Sequence, residues 1–394
     1  MKSLVGRFYL RKKLFFFALI INIICTDMEQ IDNHYDVIIV GGGPAGCSCA
    51  HELLTNDKKV LILDRTQFPR HKPCAGGITM KTLKHLPIDI SHLVQHKAQN
   101  MVFSFSDKRK VKLSHENGSC VMVIRDKFDE YFFNETIKIG AEFKQINKIN
   151  SIKSNEEKVS IDVDDEIYSC DYLIGADGAN SVVRKLTSNL DYKNPVFAYE
   201  GLVKKDGSDY PTEFIFNKHG YAWIFPKDQH YNVGIGNLVH SSKSKKITKK
   251  DLYSFVLDRF GSNKIENITA FPIGTEGDNY RAQNNIFLVG DAAGLAESLL
   301  GEGIYNAVLS GKFAGLSIID SYSNNVSAKL NYNKFLLHLT NELKLYRKGA
   351  KILYGFPRIS YWVMRLGLGK KFMNGYSEGK TLSEIIGKKS IFAN

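Results

Sequence analysis

The pattern of apolar and polar positions is clearest between residues 34 and 65, where it predicts one strand–helix–strand unit. Residues 36–40 and 60–63 are short apolar runs of the length that buried strands have. Between them, a glycine-rich turn leads into a segment with a proline at its start, which predicts a helix because proline is tolerated in a first helical turn. We therefore expect a βαβ unit at the start of the fold.

Further along the chain, the pattern predicts a β-rich middle region followed by helices. Apolar runs predict strands at 101–105, 111–113, 159–163 and 172–174, and a helix at 125–139. Short runs separated by turn residues predict a sheet within 196–235, with strands at 214–216, 222–225 and 232–235. A further strand at 286–289 precedes a helix, and the chain beyond residue 331 is predicted to be mostly helical.

The glycine-rich turn of the βαβ unit carries the first chemical signal. Gly41, Gly43 and Gly46 form G-x-G-x-x-G directly after the first strand, followed by the start of a helix at Pro44. In such a turn the backbone approaches a pyrophosphate, which the N-terminus of the helix stabilises. Asp64 ends the second strand, at the spacing of an acid that binds a ribose hydroxyl. Strand, helix, strand and acid in this order predict a dinucleotide site rather than an ordinary turn.

Length and composition limit the class of protein. The 394 residues, 43% of them hydrophobic, predict a folded protein of two or three substructures. The six cysteines have no paired metal-ligand spacing, so we predict no metal site and a reducing, cytoplasmic location. Cys47 and Cys49 lie on the first predicted helix, where we expect them in the core.

The net charge of +12 is concentrated near the C-terminus, where residues 331–394 contain twelve Lys or Arg against three Glu. Within this tail an apolar set at helical spacing lies among basic residues: Ile359, Trp362, Val363 and Leu366 beside Arg358, Arg365, Lys370 and Lys371. This pattern is typical of a helix on an anionic membrane surface. The alternative is a helix docked on the protein core with solvated lysines. We expect no nucleic-acid partner, because no RNA- or DNA-binding module is present.

The N-terminal extension, residues 1–32, is basic and then apolar. Its apolar run, 14–25, is shorter than the roughly twenty residues of a comfortable membrane span. A signal peptide is disfavoured, because Cys25-Thr26-Asp27 is a poor cleavage site. Two interpretations stay open: a membrane-proximal anchor, or translation that starts at Met28 and leaves residues 1–27 outside the protein.

Four motifs are spread over most of the chain: GGGPAG at 41–46, RDKFD at 125–129, GADGANS at 175–181 and FLVGDAAG at 287–294. Together they resemble the flavoprotein monooxygenase-like superfamily, which implies FAD as the cofactor. Two further motifs, KPCAGGIT at 72–79 and YAWIFPK at 221–227, resemble two motifs of the geranylgeranyl reductase family of FAD-dependent oxidoreductases. The resemblance covers about residues 34–311.

The resemblance implies an α/β fold, with a glutathione reductase-type FAD-binding Rossmann domain, an inserted β-rich substrate domain and a helical C-terminal region. The expected boundaries are 33–85, 119–185 and 281–330 for the discontinuous FAD-binding domain, 86–118 and 186–280 for the substrate domain, and 331–394 for the basic helical region. Because the nucleotide-contacting pieces lie so far apart in sequence, we expect the domain that they form to be discontinuous.

The resemblance also implies the residues of the site. The expected cofactor-binding residues are Gly41, Gly43, Pro44, Ala45, Gly46, Asp64, Arg65, Lys72, Cys74, Ala75, Gly76, Arg125, Asp177, Gly178, Gly290, Asp291, Gly301, Gly303 and Ile304. The expected catalytic residues are Cys74, Tyr221 and Trp223. For Cys74, the alternative is an inert buried thiol. The chain departs from the family pattern at 298–300, where Ser-Leu-Leu replaces Pro-Leu-Thr, and at Ala75, which replaces a glycine.

The implied function is reduction of C=C bonds in geranylgeranyl or other polyprenyl groups, carried by a lipid, a diphosphate or a quinone. Reduced FAD would deliver a hydride and a proton would complete the addition, with NAD(P)H or a ferredoxin-like protein as electron donor. One alternative is an FAD-dependent monooxygenase, a hydroxylase of the same superfamily. Halogenases are disfavoured, because their Trp-x-Trp-x-Ile-Pro is Tyr-Ala-Trp-Ile-Phe-Pro here. An alternative from another class is a non-catalytic flavin- or lipid-binding protein at a membrane.

Overall fold

The computed structural model describes residues 33–105, 109–155, 157–190, 192, 196–217, 220–238 and 247–388. The expected N-terminal extension, 1–32, with its anchor or mis-assigned start, lies outside the described residues. Among the described helices, none combines the length and the apolar character that crossing a membrane requires.

The described elements alternate between strands and helices in the first half and become helical towards the end. The strands are β1 (His34–Val40), β2 (Val60–Asp64), β3 (Gly77–Thr79), β4 (His96–Lys97), β5 (Asn100–Phe105), β6 (Lys110–Ser114), β7 (Cys120–Met122), β8 (Glu142–Gln145), β9 (Ile149–Ser154), β10 (Val159–Val163), β11 (Glu166–Gly175), β12 (Val196–Lys204), β13 (Thr212–Asn217), β14 (Gly220–Pro226), β15 (His230–Asn237), β16 (Glu266–Ile273) and β17 (Ile286–Leu288). The helices are α1 (Pro44–Leu54), α2 (Met80–Leu83), α3 (Arg125–Lys138), α4 (Val182–Thr187), α5 (Lys249–Phe260), α6 (Ile304–Asn324), α7 (Ala328–Gly355), α8 (Pro357–Val363), α9 (Gly369–Ser377) and α10 (Leu382–Ile385). A π-helical turn, Met364–Leu368, joins α8 to α9.

The first sheet contains the predicted βαβ unit. Its parallel part has the order β8-β2-β1-β11-β17, and β10 and β9 extend it as antiparallel strands beyond β11. The central strands are apolar without alternation, as expected of parallel strands that are buried on both faces. Because the strands are parallel, the loops that follow β1, β2, β11 and β17 meet at one edge of the sheet.

Helix α6 packs closely on α1 and fixes the position of its first turn. A Cβ added at Gly311 would lie 2.0 Å from the carbonyl oxygen of Ala45, so only glycine allows this approach. Cys47 and Cys49, on the same helix, are buried, as expected from their positions. The N-terminus of α1 is therefore held at the edge where the strand loops meet.

The second sheet has the order β16-β12-β15-β14-β13-β5-β6, and only its β13–β5 pair is parallel. Strand β14 is buried along its whole length, and its side chains alternate between two clusters. Ala222 and Ile224 join an apolar cluster with Leu252 and Val256 of α5. Tyr221, Trp223 and Phe225 belong to a second cluster on the opposite face.

A small third sheet has the strand order β3-β7-β4. Helices α7 to α10 form the helical C-terminal region that was expected over 331–394. The buried side chains of α7 connect two parts of the core: Leu336 belongs to the apolar cluster of the first sheet, with Val37 and Ile39, and Tyr354 belongs to the cluster of Tyr221 and Trp223. The mixed α/β fold with a helical C-terminal region, predicted from the sequence, is confirmed.

Candidate active site

A cavity of about 620 Å³ lies between the loop edge of the first sheet and the aromatic face of the second. Its lining includes Gly41, Gly43, Pro44, Ala45, Asp64, Arg65, Lys72, Cys74, Ala75, Gly76, Arg125, Asp177, Gly178, Tyr221, Trp223, Asp291, Gly301, Gly303 and Ile304. Gly46 and Gly290 are the two expected site residues outside this lining. Residues separated by more than 250 positions therefore meet in one space.

The glycine turn after β1 has the conformation that G-x-G-x-x-G predicts. Gly41 has φ of +109°, a value that residues with a side chain rarely adopt. A Cβ at Gly46 would lie 2.0 Å from the carbonyl oxygen of Gly41, so Gly46 allows the turn to close under the helix. Gly43 is the N-cap of α1 and has no capping side chain, and Pro44 follows it. This open helix N-terminus suits a diphosphate.

Asp64 connects the end of β2 to the glycine turn. Its Oδ2 accepts a hydrogen bond of 2.8 Å from the backbone N–H of Gly42, and its Oδ1 accepts bonds of 3.0 and 2.9 Å from the backbone N–H and hydroxyl of Thr66. The half-buried carboxylate also lines the cavity. It therefore stabilises the glycine turn from the wall of the cavity.

Two guanidinium groups share one buried carboxylate beside the glycine turn. Arg125 donates two hydrogen bonds to Asp129, of 2.8 and 2.9 Å, and Arg70 approaches the same carboxylate at 3.3 Å. A Cβ placed on Gly43 would lie 3.3 Å from the Arg70 guanidinium. The group as a whole carries one excess positive charge, which suits a nearby diphosphate. The sequence predicted Arg125 as a site residue but missed Arg70.

Asp177 uses its carboxylate within its own turn. It accepts hydrogen bonds from the Ser181 hydroxyl, at 2.5 Å, and from the backbone N–H groups of Val182 and Val183, at 2.6 and 3.2 Å. Burial raises the pKa of Asp177, although these hydrogen bonds act in the opposite direction. The carboxylate thus caps α4, and the turn brings Gly178 to the cavity.

Asp291 and Lys72 bring opposite charges into the same cavity. Asp291 lies in a short turn, Gly290–Ala293, after β17, and its Oδ2 is 3.5 Å from the backbone nitrogen of Gly274. Burial raises the pKa of Asp291, against the attraction of Lys72. Burial lowers the pKa of Lys72 to about 8, and its ammonium lies 3.4 Å from the centre of the Phe271 ring. These groups can bind polar parts of a cofactor that also has an apolar ring.

The loop of Cys74 is fixed by two buried ionisable residues, one on β12 and one directly after β14. The backbone N–H of Cys74 donates a 2.7 Å hydrogen bond to Oε1 of Glu200, and Lys227 donates to the carbonyl oxygens of Ala75 and Val123, at 2.8 and 3.0 Å. Burial raises the pKa of Glu200 and lowers the pKa of Lys227 to about 8. The free, half-buried thiol of Cys74 is therefore held at a defined place in the cavity wall.

Strands β13 and β14 supply the aromatic wall of the cavity, which we define as Phe214 of β13 with Tyr221, Trp223 and Phe225 of β14. Ring centres within it are 5.1 to 5.6 Å apart. The Trp223 indole donates a 2.7 Å hydrogen bond to Oδ1 of Asn232, and the Tyr221 hydroxyl donates to the carbonyl oxygen of Leu300. Burial raises the pKa of Tyr221 well above its ordinary value, so the phenol stays neutral. The wall is apolar, and its polar atoms are already bonded.

Gly234 lets this wall pack against strand β15. A Cβ at Gly234 would lie 2.0 Å from Cζ2 of Trp223, whereas one at Gly236 would lie 3.8 Å from Cζ3 of the same ring. The indole thus lies directly over the backbone of Gly234. Sequence reasoning missed this residue, although glycine inside a strand often marks such a close approach.

The loop of Gly301 and Gly303 closes the cavity between the aromatic wall and α6. Lys81 pairs with Glu302 at 2.7 Å, and Glu297 accepts hydrogen bonds from the backbone N–H groups of Leu300 and Glu302, at 2.8 and 3.0 Å. Burial raises the pKa of Glu297 to about 7. Leu299 and Leu300, where the chain departs from the family pattern, pack against the cluster of the aromatic wall.

Comparisons with known proteins agree with this geometry. Residues 34–310 match a family model described as an FAD binding domain. The chain is 32% identical over 334 residues to an uncharacterised protein of Methanosarcina barkeri, covering 83% of this chain and 86% of that one. It is 31% identical over 299 residues to a geranylgeranyl diphosphate reductase of Rhodobacter capsulatus, covering 71% and 74%.

Solved structures share the fold. A geranylgeranyl bacteriochlorophyll reductase-like protein of Thermoplasma acidophilum superposes with a TM-score of 0.64 at 22% identity, covering 90% of this chain and 94% of that one. A flavin-dependent brominase superposes with a TM-score of 0.71 at 16% identity, covering 88% and 94%. At such identities the likeness extends to the fold alone.

The family match and the cavity agree on the cofactor, which is FAD. The glycine turn, the open N-terminus of α1 and the paired guanidiniums fit its diphosphate, and the adjoining cavity has room for its ring system. The chain is an FAD-dependent oxidoreductase and belongs to the geranylgeranyl reductase family.

Proposed function

We propose that this protein saturates C=C bonds of geranylgeranyl or other polyprenyl groups. The observation that carries the proposal is that the aromatic wall, the Cys74 loop and the cofactor-binding residues line one continuous cavity. A polyprenyl chain offers few polar atoms, so its binding depends on apolar walls of this kind. The proposal includes three carriers of the prenyl chain: a lipid, a diphosphate or a quinone.

In this proposal, the FAD-binding residues come from 33–85, 119–185 and 281–330, and the substrate wall comes from 86–118 and 186–280. The glycine turn and Arg70 would hold the diphosphate, Asp64 the adenosine ribose, and Asp291 with Lys72 the polar groups near the flavin ring. When bound in its reduced form, FAD supplies the hydride for the alkene. The protein's part is to hold the two reactants together and to exclude water.

The aromatic wall would orient the alkene. Tyr221 and Trp223 are each fixed by a hydrogen bond at their polar atom, so their rings present defined apolar surfaces. We propose that Cys74 gives a proton to the second alkene carbon or positions the group that does so. Hydride plus proton adds two hydrogens to the substrate, and the two electrons come from the cofactor. Glu200 and Lys227 would position the thiol through the backbone of its loop.

The test is to purify the protein with its yellow cofactor, reduce it without oxygen and offer it a panel of prenyl lipids, diphosphates and quinones. Dithionite replaces the physiological donor, for which NAD(P)H and a ferredoxin-like protein are the two candidates. We expect mass gains of two hydrogens, or multiples of two, in at least one substrate. Absence of any gain across the panel would refute the proposal.

A hydroxylase is the second candidate, because the glycine and aspartate motifs shared with the flavoprotein monooxygenase-like superfamily are compatible with either reaction. The same preparation separates the two functions. A hydroxylase needs oxygen and adds an oxygen atom to an aromatic substrate, whereas the proposed reductase acts without oxygen. If an aromatic substrate is hydroxylated only in the presence of oxygen, and the prenyl substrates stay unchanged, the protein is a hydroxylase.

A further inference from the structure

The C-terminal helices carry a concentration of exposed apolar side chains. Six of the sixteen exposed large apolar residues in the described chain lie within residues 352–366. We call this set the apolar face of α8: Ile352, Phe356, Ile359, Trp362, Val363 and Leu366. Their exposed fractions range from 42% for Val363 to 79% for Leu366. Contiguous exposed apolar residues mark interaction surfaces more often than scattered ones do.

The opposite side of α8 is docked on the protein, so the apolar face has a fixed outward direction. Ser360 and Tyr361 are buried, and the Tyr361 ring contacts Phe105 edge-on at 5.7 Å. Of the residues that the sequence placed on one helical stripe, Ile359, Trp362 and Leu366 are exposed rather than packed on the core. Docking of this stripe on the protein core, the alternative considered from the sequence, therefore does not describe these side chains.

Basic side chains flank the apolar face along the sequence, with no acidic residue among them, and the Arg365 guanidinium lies 5.8 Å from the centre of the Trp362 ring. The chain has no Asp or Glu between Glu342 and Glu378. Seven exposed cations lie in this interval: Lys344, Lys348, Lys351, Arg358, Arg365, Lys370 and Lys371. An eighth, Arg347, is directed inward and pairs with Asp278. The complementary partner must therefore combine apolar material with negative charge.

An anionic lipid bilayer combines the two. Tryptophan and aliphatic side chains insert at the boundary of head groups and acyl chains, while Lys and Arg contact lipid phosphates. A second copy of this chain, facing the first through the same surface, would bring seven like charges against seven. A purely acidic protein would match the cations and leave six apolar side chains without an apolar partner.

The position of the face relative to the cavity supports the same partner. The Tyr361 ring contacts Phe105, which contacts Phe216, and Phe216 contacts Tyr221 of the aromatic wall with ring centres 6.4 Å apart. Helix α8 thus packs against the apolar cluster that borders the cavity, through the side opposite its apolar face. A bilayer at this face would be separated only by α8 from the cluster against which a prenyl chain is proposed to bind.

We propose that the apolar face of α8 and its basic border bind the surface of an anionic phospholipid bilayer, with α8 lying in the plane of the head groups. The proposal goes beyond the reaction and does not depend on it. A protein without reductase activity could still bind a bilayer through this face, and an active reductase could lack this binding.

The test uses the full chain with FAD and vesicles of phosphatidylcholine with or without phosphatidylglycerol. We expect flotation that depends on phosphatidylglycerol. Lys370→Gln with Lys371→Gln should weaken binding roughly thirtyfold, since each basic residue near the surface contributes about fivefold. Trp362→Glu with Leu366→Glu should weaken binding by about a hundredfold or more, because two inserted apolar side chains are lost.

Leu330→Glu is the matched control for the apolar variant. Leu330 is 59% exposed at the start of α7, 22 residues before Ile352, a distance of about 33 Å along the helix axis. Combined with Leu337→Glu, at a residue 46% exposed on the same helix, it introduces the same two negative charges outside the proposed surface, so flotation should match the unmodified chain. All variants keep residues 1–32, so their differences report on the C-terminal face.

Tryptophan emission gives a second readout on the unmodified chain, so the test does not depend on the folding of any variant. The chain has two tryptophans, and Trp223 is 4% exposed whereas Trp362 is 50% exposed. Insertion of α8 should shift the emission to shorter wavelength when phosphatidylglycerol vesicles are added. The proposal would be overturned if the emission wavelength did not shift, or if flotation did not depend on phosphatidylglycerol. Light scattering that shows a dimer dissociated by Trp362→Glu would assign the face to a second copy.

Discussion

Replacing Gly234 by alanine should displace Trp223 without removing FAD. The new Cβ would lie 2.0, 2.4 and 2.5 Å from three atoms of the indole, far inside ordinary contact. The backbone of Gly234 cannot retreat easily, because it pairs with Trp223 on β14 and with Glu200 on β12. The ring must therefore move by more than about 1 Å and give up its 2.7 Å hydrogen bond to Asn232.

The expected magnitude follows from two terms. Overpacking a buried site costs about 1–3 kcal/mol, and the lost indole hydrogen bond adds about 1 kcal/mol. Gly234→Ala should thus lower the free energy of unfolding by roughly 2–4 kcal/mol. A displacement of about 1 Å in a substrate-positioning wall can lower turnover by about a hundredfold. The FAD content should stay unchanged, because the glycine turn and Arg70 are untouched.

Gly236→Ala is the matched control on the same strand and the same face. Its Cβ would meet Trp223 at 3.8 Å and Ala198 at 3.9 Å, both ordinary contacts. We expect a change in stability within about 0.5 kcal/mol and a much smaller loss of turnover than with Gly234→Ala, although Gly236 also lines the cavity. Thermal unfolding, FAD absorbance and anaerobic turnover are measured on both variants.

Trp223→Phe places a smaller ring beside residue 234 and should relieve part of the overpacking caused by Gly234→Ala. The double variant should therefore lose less free energy of unfolding than the sum of the losses in the two single variants. Equal stability of the Gly234 and Gly236 variants, or additive losses in the cycle, would refute the proposed close packing.

Three further predictions concern the polar residues of the cavity. Cys74→Ala should keep FAD and lower anaerobic turnover by about a hundredfold or more if the thiol transfers a proton, and unchanged turnover would remove that role. Asp291→Ala should weaken FAD binding by about tenfold or more in a titration of the released cofactor, whereas unchanged affinity would exclude Asp291 from the FAD site. The third prediction is that Glu297 makes the stability depend on pH, because burial raises its pKa to about 7 from an ordinary 4.5. Between these values the folded protein keeps a proton that the unfolded chain has lost, so the free energy of unfolding should fall by about 3 kcal/mol as the pH rises from 4.5 to 7. Glu297→Gln should lose this dependence in thermal unfolding at a series of pH values, and an unchanged slope would contradict the burial argument.

The cofactor side of the cavity was predictable because its chemistry is local. The turn after β1 depends on Gly41, whose φ is +109°, and on Gly46, whose added Cβ would clash with the carbonyl oxygen of Gly41 five residues earlier. The alternation of Tyr221, Trp223 and Phe225 is likewise a property of one strand. Short-range steric requirements leave a pattern in the sequence that can be read without the fold.

The residues that sequence reasoning missed depend on distant partners. Glu200 accepts its hydrogen bond from Cys74, 126 positions earlier, and Lys227 donates to Ala75, 152 positions earlier. Arg70 lies in a loop whose own sequence gives no sign of Asp129 on α3. No local pattern encodes such contacts, because they exist only after the two sheets have come together.

Strand β16 was also missed, for a different reason. It is only half-buried, contains Pro272 and pairs on one side with β12 through an irregular register. An edge strand tolerates proline and need not alternate strictly, so its hydrophobic pattern is weak.

The most direct test of the central claim is a single turnover without oxygen. The protein with its FAD fully reduced is mixed with a geranylgeranyl lipid, and the return of yellow absorbance is followed together with the mass of the lipid. We predict that the absorbance returns at the rate of product formation, with one gain of two hydrogens for each FAD reoxidised. Persistent reduced absorbance with every prenyl substrate, and reoxidation only when oxygen is admitted, would contradict the account.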